Sequence, residues 1–203
     1  MGADISFYDY LKLLAPKITN ELVLTCVGGV GKDWEGLRPH EGNLHQTYMA
    51  GTSALALGIA VALPHRRVIS LDTDGSILMG LGILPVIAKQ NPSNLIIIVC
   101  DNECYEAAGK IPSHTASVTR LAGMAREAGI KNTTEVKELP GFQEAIVKAF
   151  AAKGASLIVA KVTASHPKLP YYNVFSVENK FRFVRYIEKT ENLRILGLPK
   201  IKI

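Results

Sequence analysis

Three short runs of the chain are apolar at nearly every position: Leu22 to Val27 (LVLTCV), Asn94 to Cys100 (NLIIIVC) and Ser156 to Val162 (SLIVAKV). A strand with one wet face alternates apolar and polar residues, whereas a strand covered on both faces does not. These runs therefore predict interior strands of a parallel sheet, and Val68 to Leu71 (VISL) predicts a shorter one. The segments between them have another texture. Ala50 to Leu63 strings small and aliphatic residues together with almost no charge and stops at Pro64, which predicts a buried helix close-packed through Gly51, Ala54 and Gly58. Ile77 to Lys89 reads as a second helix, weakened by Gly80 and Gly82 at about 1 kcal/mol each and kinked or restarted at Pro85. Thr115 to Gly129 and Phe142 to Lys153 read as helices, and Ser6 to Leu14 as a short first one ended by Pro16. Residues 32–46 have no period and read as a long loop, whose length itself suggests a function.

The order strand, helix, strand, helix, strand, helix, helix, strand predicts an α/β fold: an open, mostly parallel sheet with helices on both faces. No repeat or linker divides it, so the reading is one domain over residues 1–170 and a C-terminal extension over 171–203. Composition agrees, with 48% hydrophobic and 20% charged residues. No apolar stretch approaches the roughly 18 residues of a membrane span. Asp4 stands where a secretory leader is basic, and the odd set Cys26, Cys100 and Cys104 forms no close pair; both point to a reducing, cytoplasmic location. Cys26 and Cys100 read as inert core thiols, leaving Cys104 as the one to follow. The net charge of +5 is concentrated in Tyr171 to Ile203, where seven basic residues meet three acidic ones. Phe181, Phe183, Val184, Tyr186 and Ile187 alternate with those charges, so the segment reads as an amphipathic helix packed on its domain or a partner, not as a nucleic-acid binder.

In an open parallel sheet, ligands bind outside the carboxyl ends of the strands. Two such ends carry polar clusters here: Asp72, Thr73, Asp74, Gly75 and Ser76 after one strand, Asp101, Asn102 and Glu103 after the next. The 28 residues from Asp74 to Asn102 match one strand–helix–strand step, so the two can face each other across a crevice. Their oxygens suit Mg²⁺ or Ca²⁺, and the amides of the helix beginning at Gly75-Ser76 suit a phosphate held with the metal. Turn and cap residues alone would explain the same composition.

The spaced pair TDGS (73–76) and DN (101–102) resembles the thiamine diphosphate motif. With its flanks, YMAGTSALALGIAVALPHRRVISLDTDGSILMGLG and NLIIIVCDNECYEAAGKIPS, the chain is similar from about Leu22 to Val162 to the cofactor-binding half of the phosphonopyruvate and sulfopyruvate decarboxylase group. The resemblance implies thiamine diphosphate and Mg²⁺ as cofactors. It implies Asp74 and Asn102 as side-chain metal ligands, with the backbone carbonyl of Cys104 as the third. It also implies that Gly28 and Gly29 lie toward the aminopyrimidine, that Thr47, Tyr48 and Met49 line the cofactor, and that Thr73, Gly75, Ser76 and Tyr105 complete the cradle. Thr73 departs from the family's glycine, and Asp101 from the first Asn of its closing pair. Val30 and Met49 both remain open as the hydrophobic wedge.

The relay glutamate of such enzymes lies in a separate pyrimidine-binding domain, for which this sheet leaves no room. The expectation is a second subunit that supplies it, in a hetero-oligomer with paired copies, acting on a small anionic 2-oxo acid. His114, Lys110 and Glu106 are the candidate catalytic residues: His114 and Lys110 to meet the anion, Glu106 to orient one of these groups or to cap a turn. His40, His45, Lys32 and Arg38 in the early loop are further candidates. A β-type subunit of a 2-oxo acid oxidoreductase or carboligase, or a non-catalytic cofactor-binding regulatory module, would share the same clamp.

Overall fold

The computed structural model describes residues 5–170 and 177–197. Six parallel strands form one sheet in the order β2-β1-β3-β4-β8-β7: β1 Leu22–Cys26, β2 Asn43–Thr47, β3 Val68–Thr73, β4 Leu95–Asp101, β7 Asn132–Val136 and β8 Ser156–Lys161. A separate antiparallel ribbon, β5 Cys104–Tyr105 and β6 Ile111–Pro112, follows β4. Helices α1 Phe7–Leu14, α2 Gly29–Leu37 and α7 Leu139–Ala151 cover one face; α3 Thr52–Ala62, α5 Ile83–Gln90, α6 Leu121–Glu127 and α8 Val177–Glu191 cover the other.

The continuous apolar runs are explained by this sandwich. In β4, Leu95, Ile97 and Val99 pack into one core, and Ile96, Ile98 and Cys100 into the other; β8 divides Leu157 and Val159 from Ile158 and Ala160 in the same way. Residues 95–101 and 156–160 are buried whichever way they point, so no polar alternation is needed.

Several expectations are corrected. Residues 32–46 are not a loop: α2 occupies their first part and β2 their last. Val30 and Trp34, four apart and buried, give α2 its inner face despite three glycines, and the Trp34 indole donates to Asn43 Oδ1 at 3.0 Å. The helix over 77–89 is two, α4 Asp74–Met79 and α5, with Pro85 tolerated in the first turn of the second. Within 115–129 only α6 is α-helical, after a 3₁₀ turn at His114–Ala116. Strand β7 is an addition to the expected elements: it is a polar edge strand (NTTEV) without an apolar run. In α3 the packed face is Ser53, Ala56, Leu57 and Ala60, while Ala54 and Gly58 lie exposed on the other side.

The extension forms α8, which buries Phe183 and Ile187 in the core. Tyr171 to Ser176 and the last residues, from 198, lie outside the described part. Buried Asn179 of α8 meets the free edge of β2 as a neighbouring strand would. Its Oδ1 accepts from His45 N–H at 2.9 Å, and its Nδ2 donates to the Asn43 carbonyl at 3.1 Å. Farther along, Glu191 pairs with Arg66 and with His65, tying the helix to the turn before β3.

Candidate functional site

The chain passes from β1 outward to β2 and then back across β1 to β3, so the strand order reverses between β1 and β3. A crevice opens at such a reversal because the crossovers leave in opposite directions. The segments that bound it are those after β1, after β2, after β3 and after β4.

The two carboxylates at the end of β3 have different work. Asp72 is fully engaged: Oδ2 accepts from Ser53 N–H at 3.2 Å and Ser53 Oγ at 2.6 Å, and Oδ1 from Thr73 N–H at 2.9 Å. It fastens the start of α3 to β3 and is structural. Asp74, the first residue of α4, is completely buried, yet its Oδ1 has no hydrogen-bond partner. Its Oδ2 meets Ser113 Oγ at 2.5 Å and Thr115 Oγ1 at 3.1 Å. Burial pushes the Asp74 carboxyl above its ordinary range, against the pull of the Ser113 hydroxyl. A buried carboxylate oxygen without a donor is costly in any protein and suits an added cation.

The register Thr73↔Cys100 sets Asp74 beside the end of β4, where Asp101 and Asn102 follow. Asp101 is locked by Lys161 Nζ at 3.0 Å and Thr115 Oγ1 at 2.7 Å. Asn102 Oδ1 accepts from Cys104 N–H at 3.2 Å, closing a turn in which Glu103 takes a left-handed conformation, φ 61°. The ribbon then folds back over α4. Ser113 N–H reaches the Glu103 carbonyl at 2.9 Å, and the Tyr105 ring lies where a side chain on Gly75 would stand.

Thr73, in place of the family's glycine, is extended and caps α4, its Oγ1 accepting from Ser76 N–H at 3.3 Å. Ser76 Oγ accepts from Ala50 N–H at 3.0 Å and so joins the segment after β2 to that after β3. Thr47 Oγ1 donates to the Thr25 carbonyl at 3.0 Å and lies 2.6 Å from Thr52 Oγ1, while Tyr48 is 73% exposed and Met49 partly so. Gly28 has φ 116°, open to glycine and strained for other residues, with open space where a Cβ would be.

His114 is exposed on its 3₁₀ turn, and Lys110 is exposed with Nζ 3.4 Å from the Ala164 carbonyl. Glu106 holds neither of them; it reaches His166 Nε2 at 2.9 Å. His40 and Arg38 precede β2, at the opposite end of the sheet from the crevice, and His45 is buried between Thr25 and Glu35. Burial raises the Cys26 and Cys104 thiols, and buried Cys100 stands well above its ordinary value, so none is an activated nucleophile. The sequence reading missed Asp33, Thr115 and His166, which carry no motif and lie up to 133 residues from their partners, and it gave no role to Ser113, the last residue of the second family-like stretch.

A family profile described as "Thiamine pyrophosphate enzyme, C-terminal TPP binding domain" matches residues 38–160. Sulfopyruvate decarboxylase subunit beta of Methanococcus maripaludis is 28% identical over 187 residues, covering 92% of this chain and 100% of that one. The protein of the same name from Methanocaldococcus jannaschii is 30% identical over 186 residues, covering 90% and 97%. A solved thiamine diphosphate-dependent 4-hydroxybenzoylformate decarboxylase from Rhodococcus jostii RHA1 has the same fold, with a TM-score of 0.66 at 19% identity; the match covers 82% of this chain and 34% of that one. With the profile spanning more than half of its residues, this chain belongs to the thiamine pyrophosphate enzyme family, of which it carries the C-terminal TPP-binding domain.

Proposed function

We propose that the chain is the diphosphate-binding subunit of a two-subunit, thiamine diphosphate-dependent decarboxylase of small anionic 2-oxo acids, sulfopyruvate- or phosphonopyruvate-like. The observation that carries the reading is the buried, unpartnered Oδ1 of Asp74 at the switch-point crevice, beside the Asn102 turn. Among the described residues no cluster of three His, Cys, Asp or Glu could hold a metal. The donor set that the family resemblance implies is a mixed one: Asp74 carboxylate, Asn102 side-chain oxygen and Cys104 backbone carbonyl. Hard oxygens of this kind suit Mg²⁺, which keeps room for diphosphate oxygens and water.

When bound, thiamine diphosphate supplies the nucleophilic carbon and the electron sink for loss of CO₂. The protein's part is to bind and orient. Gly28, Gly29, Gly75 and Tyr105 shape the walls of the cradle. Thr73, Ser76 and Thr47, committed to internal hydrogen bonds, hold the three segments in register. Tyr48 and Met49 offer apolar surface at the mouth. Exposed Lys110 and His114 supply donors for an anionic head group and a carboxylate.

A separate pyrimidine-binding subunit would supply the relay glutamate, in a hetero-oligomer with paired copies. Both sulfopyruvate decarboxylase relatives described above carry "subunit beta" in their names. Val27, Tyr48, Met79, Ile111 and Val118 stand exposed in segments leaving the crevice end, and the outer face of α3 presents Ala54, Leu55, Gly58 and Val61. Apolar surface at a site mouth and along a helix is what a docked subunit covers.

The test is coexpression with the neighbouring gene. CO₂ release is measured from sulfopyruvate, phosphonopyruvate, pyruvate and benzoylformate, and dye reduction separately. The reading expects CO₂ from the anionic 2-oxo acids only when both chains are present, and only with Mg²⁺. Dye reduction in place of aldehyde formation, or full turnover by this chain alone, would overturn it.

A further inference from the structure

After β8 the chain turns back over the carboxyl end of the sheet as a strap. Val162 N–H donates to the Asp101 carbonyl at 3.1 Å, and Thr163 N–H to the Ile5 carbonyl at 2.9 Å. From this strap His166 reaches between the segment after β1 and the ribbon after β4. Its Nδ1 lies 2.7 Å from Asp33 Oδ2 on α2, and its Nε2 lies 2.9 Å from Glu106 Oε2 beyond β5. The Asp33 side chain is only 2% exposed, so a donor held against it offsets the cost of its burial. The imidazole also covers Gly29, where any Cβ would collide with the ring.

We propose that His166 is a positioning residue, a cationic clasp that fixes the segment after β1 against the ribbon after β4 and so presets the width of the cofactor cradle. The role rests on the cofactor reading above: Gly28 and Gly29 form one wall, and the Asn102–Cys104 turn, two residues from Glu106, forms the other. A neutral imidazole has one N–H and can donate to only one carboxylate; the imidazolium donates to both. The hydrogen bond to Asp33, with Glu106 adding to it, raises the His166 pKa to about 9. The clasp is therefore closed at neutral pH. Its contribution is fully present below the unfolded value of 6.5 and is lost as pH rises through about 9. The charged groups facing the ring are Asp33 from α2 and Glu106 from the ribbon; Lys110 of the ribbon meets the same strap at the Ala164 carbonyl.

The clasp is tested first without cofactor, on the purified chain. Nuclear magnetic resonance titration of the His166 ring, assigned by its loss in His166→Gln, should give a midpoint near 9. Hydrogen exchange at pH 7 should quicken in His166→Gln in both Gly28–Asp33 and Cys104–Lys110, and His166→Lys should restore part of the protection. Wild-type protein above pH 9 should show the same paired loosening after correction for intrinsic rates. In the complex with the coexpressed partner, His166→Gln should weaken Mg²⁺-dependent thiamine diphosphate affinity by about ten- to hundredfold, the range for removing a group that orients a site. A His166 midpoint near 6.5, or unchanged exchange in either segment, overturns the clasp. Loosening of both segments with wild-type cofactor affinity overturns its role toward the cofactor. Absence of thiamine diphosphate affinity in the wild-type complex, with the clasp signatures intact, overturns the cofactor reading instead.

Discussion

Replacing Asp74 by asparagine should make the cofactor-free protein more stable while abolishing its Mg²⁺-dependent cofactor binding. The carboxylate is fully buried, and its Oδ1 receives nothing. Its Oδ2 has fewer donors than the distances suggest. Thr115 has one hydroxyl proton and two acceptors, Asp101 at 2.7 Å and Asp74 at 3.1 Å, and the shorter contact claims it. Ser113 at 2.5 Å is then the one side-chain donor Asp74 keeps. An unsatisfied buried polar atom costs about 1–3 kcal/mol, more when charged. The asparagine amide has no charge to desolvate and can exchange hydrogen bonds with the Ser113 and Thr115 hydroxyls. A gain of about 1–3 kcal/mol follows, roughly 2–12 °C in Tm for a chain of this size. Because burial raises the Asp74 pKa above 3.8, the penalty is absent at low pH and appears as the group ionises. The advantage of the Asp74→Asn protein should therefore shrink as pH falls toward the carboxylate range. Urea unfolding of both proteins at several pH values, with and without Mg²⁺ and thiamine diphosphate, reads all of this. An Asp74→Asn protein less stable than wild type at neutral pH would refute the reasoning, since the carboxylate would then be satisfied by the fold itself.

Asn179→Ala strands the buried His45 N–H and Asn43 carbonyl, and should cost about 2–4 kcal/mol; an unchanged calorimetric Tm would show that α8 does not secure the edge of β2. Gly80→Ala would place a Cβ 2.8 Å from the Ala50 carbonyl oxygen, backbone that has little room to yield, and should lose about 1–3 kcal/mol in urea unfolding. Gly58→Ala, in α3 with nothing within 4 Å, should instead gain roughly 0.5–1 kcal/mol.

The strands that reasoning from sequence found are those covered on both sides, because a doubly buried strand has to be written in aliphatic residues. Those it missed in the main sheet are its two edges, β2 and β7. In β2, Asn43, His45 and Thr47 are buried but polar, each satisfied by a distant partner: Trp34, Glu35 with Thr25, and the Thr25 carbonyl. Such a strand resembles a loop until its partners are in place. The Asp74–Asn102 pairing was legible because one strand–helix–strand step sets its spacing. Which carboxylate was structural was not legible, since Asp72 and Asp74 differ only in what Ser53 and Ser113 do to them. His166 had no local signal at all: its partners are 133 and 60 residues away.

The amide of Asn179 that closes β2 has a consequence in time as well as in space. It arrives 136 residues after Asn43, the strand end it covers. At ribosomal rates of about 5–20 residues per second, β2 stands open for roughly 7–27 s after it is made. Throughout that interval its free N–H and C=O groups can recruit a strand from another nascent chain. The polar lettering of β2, so unhelpful for recognising a strand, then acts as protection: Asn, His and Thr make a poor template for a foreign apolar strand, and the edge stays soluble until its own helix arrives.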